Sequence, residues 1–213
     1  CGKSTLANIL AGYLSPDKGE ITIDGQPINK PSSDRLMVFQ ETALWPWMTV
    51  ENNVIFGPLS KGVKKQEAVN ESNILLNRFG LEDFKQKYPN QLSGGMMRRA
   101  ELAQALINRP KVMILDEPFR GLDVMTRELM QEYYLKLFED TKLSTVFITA
   151  ELEEALILAD KIFIMSESPG SIVEVIDVDL PRPRDISSVT TKRYAELEQQ
   201  ALKALYAGQE EEI

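Results

Sequence analysis

Residues 112–117 have the sequence VMILDE, and this stretch decides the fold. Four apolar residues in a row fill both faces of a strand, which is typical of a parallel sheet covered by helices. We predict a strand at residues 112–116 and, from similar short runs, further strands at residues 20–24, 36–40, 145–149 and 162–165. Because stretches of helical periodicity separate these runs, the sequence predicts the α/β fold class with a mainly parallel sheet.

The size and composition limit what the protein can be. The 213 residues are 43% hydrophobic and 26% charged, which suits a single globular domain over residues 1–213. The apolar runs are far shorter than the roughly 20 residues of a membrane-spanning helix. With no histidine and one cysteine, a Ser-His-Asp triad, an imidazole base and an internal disulfide are excluded. The net charge of −8 argues against nucleic acid as a partner.

The first five residues, CGKST, match the closing half of a phosphate-binding loop, G-x-x-x-x-G-K-[ST]. Gly2, Lys3, Ser4 and Thr5 are therefore candidate nucleotide-binding residues. In such a loop the backbone N–H groups at a helix start face the phosphates, Lys3 reaches the β- and γ-phosphate oxygens, and the Ser4 hydroxyl can ligate Mg²⁺. The alternative is an ordinary helix start that Ser4 caps.

Two carboxylates, Asp116 and Glu117, follow the apolar run, at the end of a strand where open α/β sheets bind their ligands. Asp116 suits the ligand shell of Mg²⁺, and Glu117 suits the polarisation of an attacking water in phosphoryl transfer. The alternative is a strand-to-loop junction with two solvated acids. The phosphate-binding residues at the start of the chain favour the first interpretation.

A third motif, QLSGGM at residues 91–96, precedes a stretch of helical periodicity. Ser93 can cap that helix, and Gly94 and Gly95 directly after it let the backbone come close to an anion. Asp116 follows 23 residues after Ser93. Taken together, the three motifs resemble those of the ATP-binding cassette (ABC) ATPases.

The resemblance extends over the whole chain and implies a P-loop NTPase core that uses ATP and Mg²⁺. The segment 50–108 contains no convincing strand and would be the helical signature subdomain of that core. The segment 191–213, rich in Ala, Leu, Glu and Gln, predicts a C-terminal helix with an acidic tail.

The resemblance also implies further site residues and a dimer. Gln40 would contact Mg²⁺ and the attacking water, so that Ser4, Gln40 and Asp116 form the metal ligands. Asp123 would lie in a loop that crosses the dimer interface. In this family two cassettes pack head to tail, so residues 93–95 of one copy would face the γ-phosphate bound by Lys3 of a second ABC ATPase subunit.

Two loops resemble those of nitrate, taurine and aliphatic-sulfonate importers, namely LWPWMTV at residues 44–50 and VDLPRPR at residues 178–184. This resemblance implies a peripheral subunit on the cytoplasmic face of the plasma (inner) membrane. Its partners would be transmembrane permease subunits and, indirectly, an extracytoplasmic substrate-binding protein. Trp45 and Trp47 are either anchors for the permease or buried beneath the helical subdomain.

The sequence has two main departures from the family pattern, and softer ones accompany them. The opening strand and the earlier glycines of the phosphate loop are missing, so we expect the chain to be truncated within that motif. Ala150 occupies the position of a histidine that senses the γ-phosphate, and Met97, Glu101 and Gln104 stand where basic or small residues are expected. Because a methyl group cannot donate a hydrogen bond, we expect slow or impaired hydrolysis.

Two hypotheses about function stay open. In the first, the chain is the ATP-hydrolysing subunit of an importer, which the intact Glu117 favours. In the second, it is a degenerate cassette that binds ATP and serves as a non-hydrolysing regulatory partner in a heterodimer, which Ala150 favours. A cassette acting on nucleic acid or ribosomes is disfavoured by the acidic charge.

Overall fold

The computed structural model describes residues 2–141 and 143–210. Helices and strands alternate from residue 94 to residue 165, as the sequence predicts for an α/β fold. In chain order they are α1 (Lys3–Ala11), β1 (Thr22–Ile23), β2 (Gln26–Pro27), β3 (Arg35–Val38), α2 (Val50–Ser60), α3 (Lys65–Arg78), α4 (Gly94–Leu106), β4 (Val112–Asp116), α5 (Val124–Thr141), β5 (Ser144–Ile148), α6 (Leu152–Leu158), β6 (Lys161–Met165), β7 (Ile172–Asp177) and α7 (Lys192–Glu210). Short 3₁₀ turns cover Glu82–Phe84, Pro89–Gln91 and Ile186–Thr190.

A three-stranded parallel sheet of order β3-β4-β5 confirms the predicted fold class. The central strand β4 is covered on both faces, since alternate residues point to opposite sides of a sheet. Ile114 packs with Ala7 and Ala11 of α1, whereas Met113 and Leu115 belong to the larger core formed with the remaining helices. Helix α1 therefore covers one face of the sheet, and the larger core, which includes residues of α4, covers the other.

The runs at 20–24 and 162–165 are not part of the parallel sheet, and this part of the prediction is wrong. The strand β1 pairs antiparallel with β2, and β6 pairs antiparallel with β7. In β6 the side chains alternate, with Ile162 and Ile164 buried and Phe163 58% exposed. An antiparallel pair can leave one face in water, so an apolar run does not require cover on both faces.

Between residues 50 and 108 the regular elements of the structure are helical. The helices α2, α3 and α4 pack on one another around buried Val54, Leu76 and Leu102. Helix α2 begins after Thr49, whose hydroxyl accepts the N–H of Asn52 at 3.3 Å and caps the helix. Ser93, the residue before α4, lies at the start of the last helix of this cluster and is exposed.

The last helix, α7, covers most of the segment predicted to be a C-terminal helix and packs on β6 and β7 through Tyr194, Leu197 and Ala201. The predicted acidic tail extends to residues 211–213, which lie outside the described residues. No helix in the described part of the chain is long and apolar enough to cross a membrane.

Candidate functional site

Helix α1 begins at Lys3, and the structure places the predicted phosphate-binding residues in its first turn. Gly2 precedes it with a left-handed backbone (φ 91°), a conformation that glycine adopts without strain. Its carbonyl accepts the N–H of Leu6 at 2.9 Å, and no described side chain caps the helix. Ser4 lies inside the helix and is not its cap, contrary to the alternative interpretation. The first N–H groups of a helix have no acceptor within it and attract anions.

The carboxyl ends of the three parallel strands bring four predicted positions to one edge of the sheet. Gln40 follows β3 by two residues, Asp116 ends β4 with Glu117 after it, and Ala150 follows β5 by two residues. In parallel sheets this edge is where ligands bind. The register supports the arrangement, because Asp116 pairs with Ile148 of the neighbouring strand.

Asp116 is buried, and its Oδ1 atom has no hydrogen-bond partner among the residues that the structure describes. A buried carboxylate oxygen without a partner is costly unless a cation or water completes its contacts. No group of three or more His, Cys, Asp or Glu side chains in the described part of the chain forms a metal cage. These observations fit Mg²⁺, which binds through one or two carboxylates together with phosphate oxygens and water.

Glu117 is held in place by its backbone and by its side chain. Its N–H donates to the carbonyl of Ile148 at 2.9 Å, and its backbone is left-handed (φ 45°), which is unusual for a residue other than glycine. Such backbone strain is found preferentially at functional sites. The guanidinium of Arg120 donates to Oε2 of Glu117 at 2.8 Å. No sequence motif pointed to this arginine, although it stands only three residues away from Glu117.

The loop that carries Gln40 is tied to helix α4. The guanidinium of Arg98 donates to the carbonyls of Phe39 and Gln40, each at 2.7 Å, and forms a 2.8 Å ion pair with Glu101. Burial raises the pKa of Glu101, and the charge of Arg98 opposes that shift. The side chain of Gln40 remains exposed. Glu101 was already unusual in the sequence, whereas no sequence pattern pointed to Arg98.

The structure brings Ser93, Gly94 and Gly95, called the signature residues below, close to the loop that contains Asp123. Ser93 caps α4 by accepting the N–H of Met96 at 3.3 Å, and both Ser93 and Gly94 are exposed. Gly95 is buried so closely that an added Cβ would lie 2.6 Å from Cγ2 of Thr126. The carboxylate of Asp123 accepts the hydroxyl and the N–H of Thr126.

Those hydrogen bonds from Thr126 lower the pKa of Asp123. The Ser93 end of α4 and the Asp123 loop therefore form one surface. Helix α1, which begins at Lys3, packs in a different core cluster from α4, on the other face of the sheet.

Ala150 is exposed beside this edge, and the polar groups around it bond to one another. The Thr149 hydroxyl donates to Glu154 at 2.7 Å and accepts the N–H of Glu151 at 2.9 Å. Burial raises the pKa of Glu154. Ala150 itself offers only a methyl group.

The two tryptophans of the loop after Gln40 have different environments. Buried Asn53 organises the loop by accepting the N–H of Trp45 and donating to three loop carbonyls. Trp45 is half-buried against Phe56, with ring centroids 4.3 Å apart. Trp47 is 69% exposed. The interpretation as a surface anchor therefore suits Trp47, and the interpretation as a packed residue suits Trp45.

Comparisons with known proteins agree with these motifs. Residues 1–120 match the family described as ABC transporter. An uncharacterized ABC transporter ATP-binding protein of Methanocaldococcus jannaschii is 39% identical over 96% of the chain and 79% of its own length. The taurine import ATP-binding protein of Roseobacter denitrificans is 46% identical over 81% of the chain and 64% of its own length. The nitrate import ATP-binding protein of Synechocystis sp. is 41% identical over 84% of the chain and 68% of its own length.

A solved structure has the same fold. It is described as the dimeric, post-hydrolysis state of an ATP-binding cassette bound to ADP and Pi. It matches with a TM-score of 0.70 at 29% identity, over 83% of this chain and 81% of its own.

Proposed function

The chain belongs to the ABC transporter ATPases, which couple ATP hydrolysis to transport, and from that premise we propose that it powers import of a small sulfonate-like or nitrate-like anion. The names of the taurine and nitrate import relatives support this substrate class. The observation that carries the catalytic part is the buried, unpartnered oxygen of Asp116 beside the fixed carboxylate of Glu117.

The proposed nucleotide site begins at the amino end of α1. The backbone N–H groups from Gly2 to Thr5 would bind the phosphates of ATP, and Lys3 would add a positive charge. Ser4, Gln40 and Asp116 are the proposed ligands of Mg²⁺. When bound, Mg²⁺ neutralises charge on the phosphate oxygens.

Glu117 is the proposed residue that orients and deprotonates the attacking water. Its carboxylate is held by Arg120 at 2.8 Å, so the side chain does not have to be ordered when substrate binds. Its backbone hydrogen bond to Ile148 fixes the turn from which the side chain extends. Proton transfer to a positioned carboxylate typically contributes 10²- to 10⁴-fold, roughly 3–5 kcal/mol.

We propose that the working unit is a dimer in which Ser93, Gly94 and Gly95 of one copy face the nucleotide held by the other. Two observations support this: the exposure of Ser93 and Gly94, and the packing of α1 on a different core cluster from α4. The solved cassette of the same fold is dimeric. Asp123, next to the signature residues, would contribute to the same interface.

The remaining parts of the proposal concern architecture and location. Residues 1–213 would form one ATPase domain, with a helical subdomain at 50–108 and a C-terminal helix and tail at 191–213. Trp47 would contact a transmembrane permease, because an exposed aromatic ring is a common anchor of protein interfaces. The subunit would act at the cytoplasmic face of the membrane, and a substrate-binding protein outside would select the solute.

A second candidate function rests on Ala150. Its methyl group cannot donate a hydrogen bond to a γ-phosphate, so the transition state would lack one preorganised donor. In that case the chain would bind ATP, hydrolyse it slowly and regulate a partner cassette. The two candidates share the same fold and the same ATP site, and they differ in turnover.

The experiment that tests the primary proposal is Glu117→Gln in the full-length protein. Because the amide cannot accept a proton, we expect turnover to fall by about 10²- to 10⁴-fold while ATP stays bound and the dimer stays closed. Single-turnover hydrolysis and size-exclusion chromatography with ATP measure both effects. The matched control is Glu67→Gln, an exposed change on α3 that should leave both unchanged. Normal hydrolysis by the Glu117 variant would remove that residue from the proposed role.

A further inference from the structure

The buried ion pair of Arg98 and Glu101 joins helix α4 to the main chain of the loop 39–43. We propose that this pair is a positioning device, which fixes Gln40 in the nucleotide site and couples it to the Ser93 end of the same helix. The inference rests on the proposed function, since Gln40 matters only if the edge of the sheet binds Mg-ATP. Neither charged residue is proposed to touch the substrate.

The two side chains hold the loop at both ends. Arg98 donates to the carbonyl of Phe39 through Nη1 and to that of Gln40 through Nη2, each at 2.7 Å. Glu101 accepts the N–H of Ala43 at 2.5 Å through Oε1. Its other oxygen, Oε2, pairs with Arg98 at 2.8 Å. Three backbone groups of one five-residue loop are thus bonded to two adjacent side chains of one helix.

Arg98 and Glu101 form a buried ion pair and not a solvent-exposed one. Arg98 is 7% exposed and Glu101 is 4% exposed. A buried ion pair is seldom the most stable choice for a core, because apolar side chains of similar volume often stabilise it equally or better. Apolar side chains, however, cannot hydrogen-bond two carbonyls and an N–H. What the ion pair adds beyond packing is therefore a fixed position for the loop.

Helix α4 also carries the signature residues, so a movement at its Ser93 end can be transmitted to Arg98 and Glu101. Arg98 follows Ser93 by five residues, and a helix rises about 1.5 Å per residue, so the two lie about 7 Å apart along one rigid element. A nucleotide held against the Ser93 end would orient α4, and Arg98 and Glu101 would carry that orientation to the backbone of Gln40. One helix would thus link the two sides of the dimeric site.

The test replaces both charges at once, by Arg98→Met with Glu101→Leu in the full-length protein. No unpaired buried charge remains, so the fold should be kept. We expect the amide of Ala43 to exchange its hydrogen about tenfold faster, while amides of β4 keep their rate. In the reconstituted dimer, kcat should fall and half-maximal activity should need more Mg²⁺, whereas the KM for ATP should change less.

Two further variants control this test. The exposed pair Lys192 and Glu196, 3.6 Å apart on α7, is changed to glutamine at both positions and should alter none of these readouts. Arg98→Lys keeps the charge balance but replaces the planar fork by a point charge, so it should lie between wild type and the double variant. Arg98→Lys also gives the exchange comparison if the double variant does not fold.

The outcomes separate this inference from the proposed function. Wild-type protein without ATP hydrolysis would refute the proposed function, while the exchange of Ala43 would still report on the anchoring. Unchanged exchange at residues 39–43 in a folded variant would overturn the inference. Faster exchange with an unchanged kcat and Mg²⁺ dependence would overturn it as well, because the pair would then hold the loop without positioning Gln40 for the reaction.

Discussion

Two loops leave the same edge of the parallel sheet, and each lies near a buried glutamate. Glu101, beside the loop after β3, is paired with Arg98 and bonded to the N–H of Ala43. Glu154, beside the loop after β5, accepts the hydroxyl of Thr149. Burial raises the pKa of both carboxyls.

The difference teaches how the proposed site is built. The loop after β3 is fixed to another helix by charged groups, so Gln40 has a defined backbone position. The loop after β5 is closed by the hydrogen bonds that Thr149 makes with Glu151 and Glu154, and its exposed residue, Ala150, offers no polar side-chain group to a ligand. The loop after β3 is thus a preorganised part of the proposed site. The loop after β5 contributes shape, but Ala150 provides no hydrogen-bond donor.

The largest expected effect comes from the single change Arg98→Met, which removes the contacts that hold the loop after β3. Glu101 would then be a buried charge without its partner, so we expect the free energy of unfolding to fall by about 3–5 kcal/mol. Urea denaturation at neutral pH measures the loss.

A control for this prediction is Arg120→Met, which removes an exposed arginine that also pairs with a glutamate. Surface pairs contribute about 1 kcal/mol or less, so this change should cost little. Equal losses for the two variants would mean that the Arg98 pair is no more important to the fold than a surface contact.

The second prediction concerns the loop after β5. The change Ala150→His in the full-length protein gives this loop a hydrogen-bond donor. A preorganised donor at a developing charge is worth about 10²-fold in kcat, or roughly 3 kcal/mol, and should change ATP affinity much less. Single-turnover kinetics on the reconstituted dimer measure the gain in kcat and in kcat/KM together.

The matched variant for Ala150 is Ala150→Leu, which adds volume but no donor and should not accelerate the reaction. If the histidine variant gains nothing over it, the missing imidazole is not the limiting defect. The regulatory, non-hydrolysing candidate would then explain the chain better.

The smallest effect is expected from Glu154→Gln, beside the loop after β5. The raised pKa of Glu154 means that the folded state binds its proton more tightly than the unfolded state does. That contribution to stability is complete below the ordinary value of 4.5 and is lost as the pH rises through the folded-state pKa. The glutamine keeps an acceptor for Thr149 and has no charge to bury.

The Glu154 variant should therefore match wild type at low pH and become more stable than it, by about 1 kcal/mol or less, at pH 8. Denaturation curves at pH 4 and pH 8 test the sign. A difference between the two proteins that does not grow with pH would show that the carboxyl ionises as easily in the folded state as in the unfolded one.

Much of the fold was accessible from the sequence, and the exceptions have a clear cause. The strand at 112–116 was predicted with its observed bounds, because a central parallel strand is apolar throughout. The strand β7 was missed and the neighbours of β6 were misassigned, because hydrophobic runs report burial and not the direction of the partner strand. On α5, Met125 and Leu129 fall at the helical spacing that predicts a buried face together with Met130 and Leu137, but both are exposed.

The candidate site divides in the same way. Motif chemistry led to Lys3, Asp116 and Glu117, because phosphate and metal binding need particular residue types at particular spacings. The contacts of Arg98 with Phe39 and Gln40 join residues 58 and 59 positions apart, and no local pattern encodes such a pairing. The sequence could mark Glu101 as unusual, but only packing shows what it holds.

The environment of Trp47 gives the molecule an optical property of its own. The chain has two tryptophans, one half-buried against Phe56 and the other standing in water. Indole fluorescence shifts to shorter wavelength when water is replaced by an apolar neighbour. A protein with Trp45→Phe would keep one fluorophore, so that the colour of its emission reports, without any label, whether the surface around Trp47 is covered.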